Sequence, residues 1–268
     1  MRLSRFTRGG LAVFAGLVVA FLLGPLLVIV LFAFDKSNVQ SLPIRNWTMH
    51  WFSVAFNDPE VRSALWLSVK VGCAATVIAL VLGTLVAFGI HRFRFFGRDT
   101  VSLLLVLPIA LPGIVTGLAL KSAFNIAHID LSILTIIVGH ATFCMVVVFN
   151  NVVARLRRTS TSLIEASSDL GARPLQTFRL VTLPMLSTAI IAGALLAFAL
   201  SFDEVIVTTF TAGAQNTLPL WIFGAILRGQ QLPEVNAVVV FVLILTTVPI
   251  AFAARISSGE RPFGTGSK

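Results

Sequence analysis

The stretch Glu165-Ala-Ser-Ser-Asp-Leu-Gly171, continued by Val181-Thr-Leu-Pro184, decides how this chain is read. It is a polar segment rich in small residues, lodged between long apolar runs. Just upstream lies Arg155-Leu-Arg-Arg-Thr-Ser-Thr-Ser162, in which Ser160 or Thr161 can cap a helix start with its side-chain oxygen. Leu163, Ala166 and Leu170 recur at helical spacing, and Gly171 suits the left-handed residue that ends a short helix. Pro174 suits the first turn of a second short helix running through Phe178 toward Val181, and Pro184 opens the next apolar run. The pattern predicts a compact helix-turn-helix with small residues on its surface, shaped for a shallow groove on a partner protein. On periodicity alone, a solvated loop that merely joins two spans is the alternative.

The runs on either side of this segment place the chain in a bilayer. Of its 268 residues 57% are hydrophobic and 12% charged, which excludes an ordinary soluble globule. A helix needs roughly 20 apolar residues to cross about 30 Å of hydrocarbon. Runs near 11–34, 68–90, 101–120, 132–152, 183–202 and 236–254 meet that length, and no alternating ten-residue strands suggest a barrel. The expectation is an all-α membrane protein with six transmembrane helices. It has a cytoplasmic N-terminus at 1–10, one transmembrane domain over 11–258 containing the loop 155–182, and a polar Gly-rich tail at 259–268. The first run follows Arg2, Arg5 and Arg8 like a secretory signal, yet Leu11 to Phe34 is too long for a cleaved core and reads as a retained helix.

Charge fixes the predicted orientation. Three basic residues lie in the N-terminus, three at 91–100, five at 155–182 and three in the C-terminal tail, which together make fourteen of the 20. Lys36, Arg45, Arg62, Lys70, Lys121 and Arg228 lie on the opposite side. The excess predicts cytoplasmic termini and a cytoplasmic 155–182 loop. Seven of the 11 acids, Asp35, Asp58, Glu60, Asp130, Asp203, Glu204 and Glu234, fall outside. The net charge of +9 is therefore a topology signal, and no nucleic-acid partner is expected.

Chemistry-bearing motifs are sparse. Cys73 and Cys144 fall within spans, without metal-ligand spacing or a disulfide framework. Among His50, His91, His128 and His140 only the last sits in a span. It is a functional candidate there, and the preferred reading is a neutral imidazole bonded to a neighbouring helix. Gly259 and Gly264 have phosphate-loop separation, but Thr265 follows where lysine is required. No nucleophile elbow or zinc-protease motif is present, so the chain is read as no enzyme; if it uses ATP, another subunit binds it. Pro108 and Pro112, with Gly113 and Gly117, predict a kinked or partly unwound third span. Trp47, Trp51 and Trp66 mark the outer interface, where Lys70 is expected to snorkel.

Glu165, Ala166, Gly171, Leu183 and Pro184 resemble, at full spacing, the EAA loop of permeases from ATP-binding-cassette importers; Ser167 stands where alanine is usual. The resemblance runs from about Leu11 to Arg255. Leu107-Pro-Ile-Ala-Leu-Pro-Gly-Ile-Val115, Gly139-His140, Ala192 to Glu204, Thr217-Leu-Pro-Leu-Trp-Ile-Phe223 and Pro233-Glu-Val-Asn236 look like the spermidine/putrescine branch. Related permeases carry iron, phosphonates and amino-acid-like solutes, so cargo is the weaker part of the match.

That resemblance implies a type I importer permease fold in the bacterial inner membrane. It implies a second permease subunit, giving a heterodimer, with two ATPase subunits and an extracytoplasmic substrate-binding protein. No cofactor is expected on this chain, since ATP and magnesium belong to the ATPase. Glu165, Ala166, Ser167, Gly171 and Pro184 would couple the ATPase to the spans. Asp203 and Glu204 end the fifth apolar run, where carboxylates attract a cationic cargo. Successive helix residues diverge by about 100°, which favours Asp203 over Glu204. Phe202 and Trp221 are the aromatic candidates beside them, with Phe210 and Phe223 nearby. The rival from another class is a secondary transporter that works without ATPases.

Overall fold

Pro112 gives the membrane region its sharpest turn. Helix α4 (Arg98–Ala110) and helix α5 (Gly113–Ile126) meet at 106° across Leu111 and Pro112. The expected single span 101–120 is therefore two helices, bent far beyond a kink. Proline disfavours helical geometry in the residue before it, and Leu111 is extended at ψ 147°. Pro108 inside α4 already removes one backbone donor.

The computed structural model describes residues 4–93, 95–160, 162–229 and 232–244. Among these, four stretches are long and apolar enough to cross a membrane: Thr7–Ala33, Pro59–Arg92, Ile133–Arg158 and Pro174–Asp203. The bent α4 and α5 pair makes a fifth when taken as one span. The other elements before the bend are α1 (Arg5–Ala33), α2 (His50–Asn57) and α3 (Pro59–Arg92). After it come α6 (Ile133–Arg158), α7 (Ser162–Asp169), α8 (Pro174–Thr177), α9 (Leu183–Asp203), α10 (Ile206–Thr211), α11 (Leu218–Arg228) and α12 (Leu232–Ile244). The second half of the expected sixth span, 245–254, and the tail 259–268 lie outside the described residues. No β-strand occurs among the described residues, only an isolated antiparallel bridge between Asp35 and Trp47.

Two compact units divide the chain. In residues 63–223, α6 lies along α9. Cys144, Val148, Phe149, Val152 and Leu156 are buried with Leu186 and Ala197, and Ala79, Ala87 and Ile90 of α3 complete the cluster. Gly83 of α3 and Gly193 of α9 let these helices approach α6 closely, as small residues do between helices in lipid. Ser132 and Thr135 cap the start of α6, and Arg155, Arg157 and Arg158 fill its last turn, where the helix dipole favours cations. Lys70 Nζ lies 5.3 Å from the Trp66 ring centroid, a cation–π pair at an exposed position.

The other unit combines residues 1–62 with 224–268. Ser4 caps α1 by accepting the Thr7 amide hydrogen at 3.1 Å. Helix α2 is anchored by the Trp51 indole, which donates to the Asp35 carbonyl at 2.9 Å. The Phe34 and Phe52 rings meet beside it at 44°, with centroids 5.0 Å apart.

Glu234, in the first turn of α12, is 1% exposed and neither carboxyl oxygen has a donor. Asp58 and Glu60 face it, while the Arg62 guanidinium is turned to the Asn57 carbonyl. Burial first, then Asp58 and Glu60, push its pKa from 4.5 up to about 7. A protonated Glu234 can donate to Asp58, which an ionised one cannot. The folded state thus holds this proton through a window where the unfolded chain has lost it, so stability falls as pH rises from about 4.5 through 7. Thermal unfolding of the purified protein should occur at lower temperature at pH 8 than at pH 5.5. Glu234→Gln should flatten that dependence; an equally steep profile in the variant would assign it to other groups.

Candidate functional site

The polar insert folds as a closed helix-turn-helix. Ser160 caps α7 by accepting the Ser162 amide hydrogen at 3.2 Å. Gly171 has φ +78° and ends the helix with the paired bonds of a Schellman motif, Gly171 N–H to Ser168 O at 2.9 Å and Ala172 N–H to Ser167 O at 3.1 Å. Pro174 occupies the first turn of α8, and Gln176 Oε1 accepts the Arg173 N–H at 2.8 Å. The second helix was expected to run on toward Val181; instead Phe178–Thr182 is a π-helical turn, a form that recurs at functional sites. Pro184 then sits in the first turn of α9 as expected.

Ser167, the residue where alanine is usual, has a clear task. Its hydroxyl bonds that of Thr177 at 2.9 Å, tying α7 to α8. Phe178 braces the hairpin against α3, meeting Phe88 edge-on at 5.4 Å, and at the hairpin's base Arg155 Nε of α6 donates to the Met185 carbonyl of α9 at 3.0 Å. Glu165, Ala166 and Gly171 are exposed. So are Leu163, Leu170 at 88% and Leu175 at 75%, which give the hairpin an apolar outer surface left uncovered by the described residues.

The second site is the corner where α9 stops. Asp203 is the last residue of α9 and is exposed; Glu204 is extended and half-buried. Glu204 Oε1 accepts the Val207 N–H at 2.9 Å, so this carboxylate caps α10, whereas Asp203 points to no cap. Phe202 is half-buried and 5.9 Å from Phe198. Trp221 is buried, at 5% exposure. Phe210 is spent on packing against Gly117.

Behind the corner lies a polar network that the sequence did not reveal. His140 of α6 is fully buried, with Nδ1 2.8 Å from Ser201 Oγ and Nε2 2.8 Å from Thr208 Oγ1. Thr208 donates its hydroxyl to the Glu204 carbonyl at 2.6 Å, and Thr135 donates to the Thr211 carbonyl at 2.7 Å. The expected bond from His140 to a neighbouring helix is thus two bonds, to the end of α9 and to α10. A cradle of glycines receives α10: a Cβ at Gly117 would lie 2.6 Å from Phe210, and one at Gly139 3.2 Å from Val207. The sequence signals were Gly113, Gly117, Gly139 and the threonines of Thr208-Thr-Phe-Thr211, none of which declares a partner on its own.

A multi-pass helical membrane chain with an exposed hairpin between two long spans, and an acidic corner on a broken helix, defines a transport subunit rather than an enzyme. The chain belongs to the family of binding-protein-dependent transport system inner membrane components, which it matches over residues 74–259. It is 36% identical over 231 residues to the putrescine transport system permease protein PotI of Escherichia coli K12, covering 83% of this chain and 82% of that one. It is 30% identical over 265 residues to the spermidine/putrescine transport system permease protein PotC of the same strain, covering 98% of each. A solved structure of a bacterial ABC transporter involved in import of the acidic polysaccharide alginate shares the fold, with a TM-score of 0.69 at 17% identity, covering 95% of this chain and 98% of that one. A member of this family works with an ATPase subunit and a substrate-binding protein.

Proposed function

We propose that this chain is a permease subunit of an ATP-driven polyamine importer, with putrescine or spermidine as cargo. The observation that carries this reading is the exposed Asp203 carboxylate at the α9 corner, beside a Glu204 already engaged as a helix cap. A flexible cation carrying primary ammonium groups complements such a site. The names of the relatives point to the same cargo. In this reading six spans place both termini and the 155–182 hairpin in the cytoplasm of a bacterium, with the permease in its inner membrane. A second, related permease completes the pathway, two ATPases hold ATP and magnesium, and an extracytoplasmic binding protein delivers cargo. Glu165, Ala166, Ser167, Gly171 and Pro184 form the coupling element, and the uncovered Leu170 and Leu175 supply apolar contact with an ATPase groove.

The test is uptake of labelled putrescine and spermidine by the complex reconstituted in liposomes with its binding protein. Asp203→Asn keeps shape and removes charge. It should raise KM about tenfold with little change in maximal rate, the loss of one charge-assisted bond in a wet site. Failure of both polyamines to enter would remove the polyamine assignment. Transport by the chain without an ATPase would remove the importer assignment as well.

A further inference from the structure

His140 stands apart from the other polar groups of the membrane region because it is fully buried and uses both ring nitrogens. The donors and acceptors around it form one consistent chain. Thr208 gives its hydroxyl hydrogen to the Glu204 carbonyl, so its oxygen is left to accept from His140 Nε2–H. Nδ1 is then an acceptor and takes the Ser201 hydroxyl hydrogen. The ring is the neutral Nε2–H tautomer, with every partner satisfied. This relay runs from α9 through α6 to the backbone of Glu204, the residue that separates Asp203 from α10. Near it, Thr135 holds Thr211 and the glycine faces of α5 and α6 hold Val207 and Phe210. Glu204 is extended and is bonded locally to Val207 and Thr208, and the outside attachments fix where α10, and with it this corner, stands.

We infer that His140 is a positioning residue for the Asp203–Glu204 corner, acting through Thr208 on the Glu204 carbonyl. This rests on the reading of that corner as the cargo-facing acidic site. His140 touches no cargo. Its role is to fix where the Asp203 carboxylate stands, and the bond that matters is the one from Nε2, not the one from Nδ1.

That distinction makes the inference testable. Glutamine can place its amide N–H where Nε2–H lies, whereas asparagine can place its oxygen only where Nδ1 lies. His140→Gln keeps the bond to Thr208, and His140→Asn keeps the bond to Ser201. Thr208→Val removes the relay at nearly constant volume, which guards against a His140 variant that fails to fold; Thr208→Ser retains it. The first readout needs no cargo: Asp203→Cys in a Cys73→Ala background, labelled by a small cationic thiosulfonate, with buried Cys144 silent. His140→Asn and Thr208→Val should shift the labelling rate about fivefold, while His140→Gln and Thr208→Ser stay within about twofold. The second readout is putrescine uptake with Asp203 intact, where the first pair should raise KM and the second pair should not. Equal labelling rates in all four variants, or Asn and Gln behaving alike, would overturn the inference. A wild-type complex that takes up no polyamine would instead sink the cargo reading, and the labelling rates would still decide the role of His140.

Discussion

A Gly171→Val variant is expected to assemble with its partners and to lose most binding-protein-stimulated ATP hydrolysis and uptake. The cause is confined to backbone geometry. Gly171 has φ +78°, and a Cβ built there meets nothing within 4 Å, so a side chain has space but the wrong conformation. A β-branched residue held in the left-handed region costs at least about 1–2 kcal/mol, enough to shift the turn to another conformation about five- to thirtyfold. The Schellman bonds from Gly171 and Ala172 then open, and with them the Ser167–Thr177 link between α7 and α8. The hairpin loses its shape while α6 and α9 keep theirs, because their packing involves none of these residues. Basal ATP hydrolysis should persist and its stimulation by loaded binding protein should fall about five- to thirtyfold, by the same arithmetic. Asparagine tolerates the left-handed region, so Gly171→Asn should retain much of the coupling, with Gly171→Ala between the two. Full stimulation in the valine variant would remove the turn from the coupling mechanism.

The two candidate sites depend on different kinds of restraint. The hairpin closes on bonds between residues close in sequence, and Phe178 ties it to Phe88 of α3. The acidic corner closes on two local bonds at Glu204 and is held in place from outside by His140 and Thr135 on α6 and by glycines on α5 and α6. A coupling element that must fit another protein benefits from a shape fixed within itself.

This difference also explains what could be read from residues alone. Caps, the Gly171 turn and the Pro174 start follow local rules, and each was legible in the insert; only the π-helical turn at Phe178–Thr182 broke the pattern. The break at Pro112 was legible as a kink, but its 106° angle depends on where α5 packs, which no local rule supplies. The network at the corner joins residues 61 to 76 positions apart, on helices that are mostly apolar. In such helices periodicity does not separate the inner face from the lipid face. Trp221 and Phe210 illustrate the consequence: nearness in sequence to Asp203 made them aromatic candidates for cargo, whereas packing gives one a buried place and the other a glycine to rest on. Ser167 shows the reverse. A small departure from the usual alanine became a specific bond once Thr177 was seen beside it.

The glycine beneath Phe210 yields the second large effect. In Gly117→Val the new Cβ would stand 2.6 Å from Phe210 Cδ2 and 3.2 Å from its Cβ. Rotation of the ring relieves the first clash but not the second, because Cβ moves only with the backbone of α10. The helix must therefore shift, and with it Thr208 and Thr211, whose bonds to His140 and Thr135 have little slack at 2.8 and 2.7 Å. Overpacking of this kind costs about 1–3 kcal/mol, and the loss of attachment at the corner should abolish polyamine uptake even in protein that remains folded. Thermal unfolding in detergent measures the first effect and reconstituted uptake the second. The steric origin is separable by a double-mutant cycle. Gly117→Ala alone should destabilise, and combined with Phe210→Ala it should cost less than the sum of the two single changes, because the added methyl enters the space the ring has left. Strict additivity in that cycle would mean that α10 does not rest on Gly117, and the cradle would no longer account for the position of Asp203.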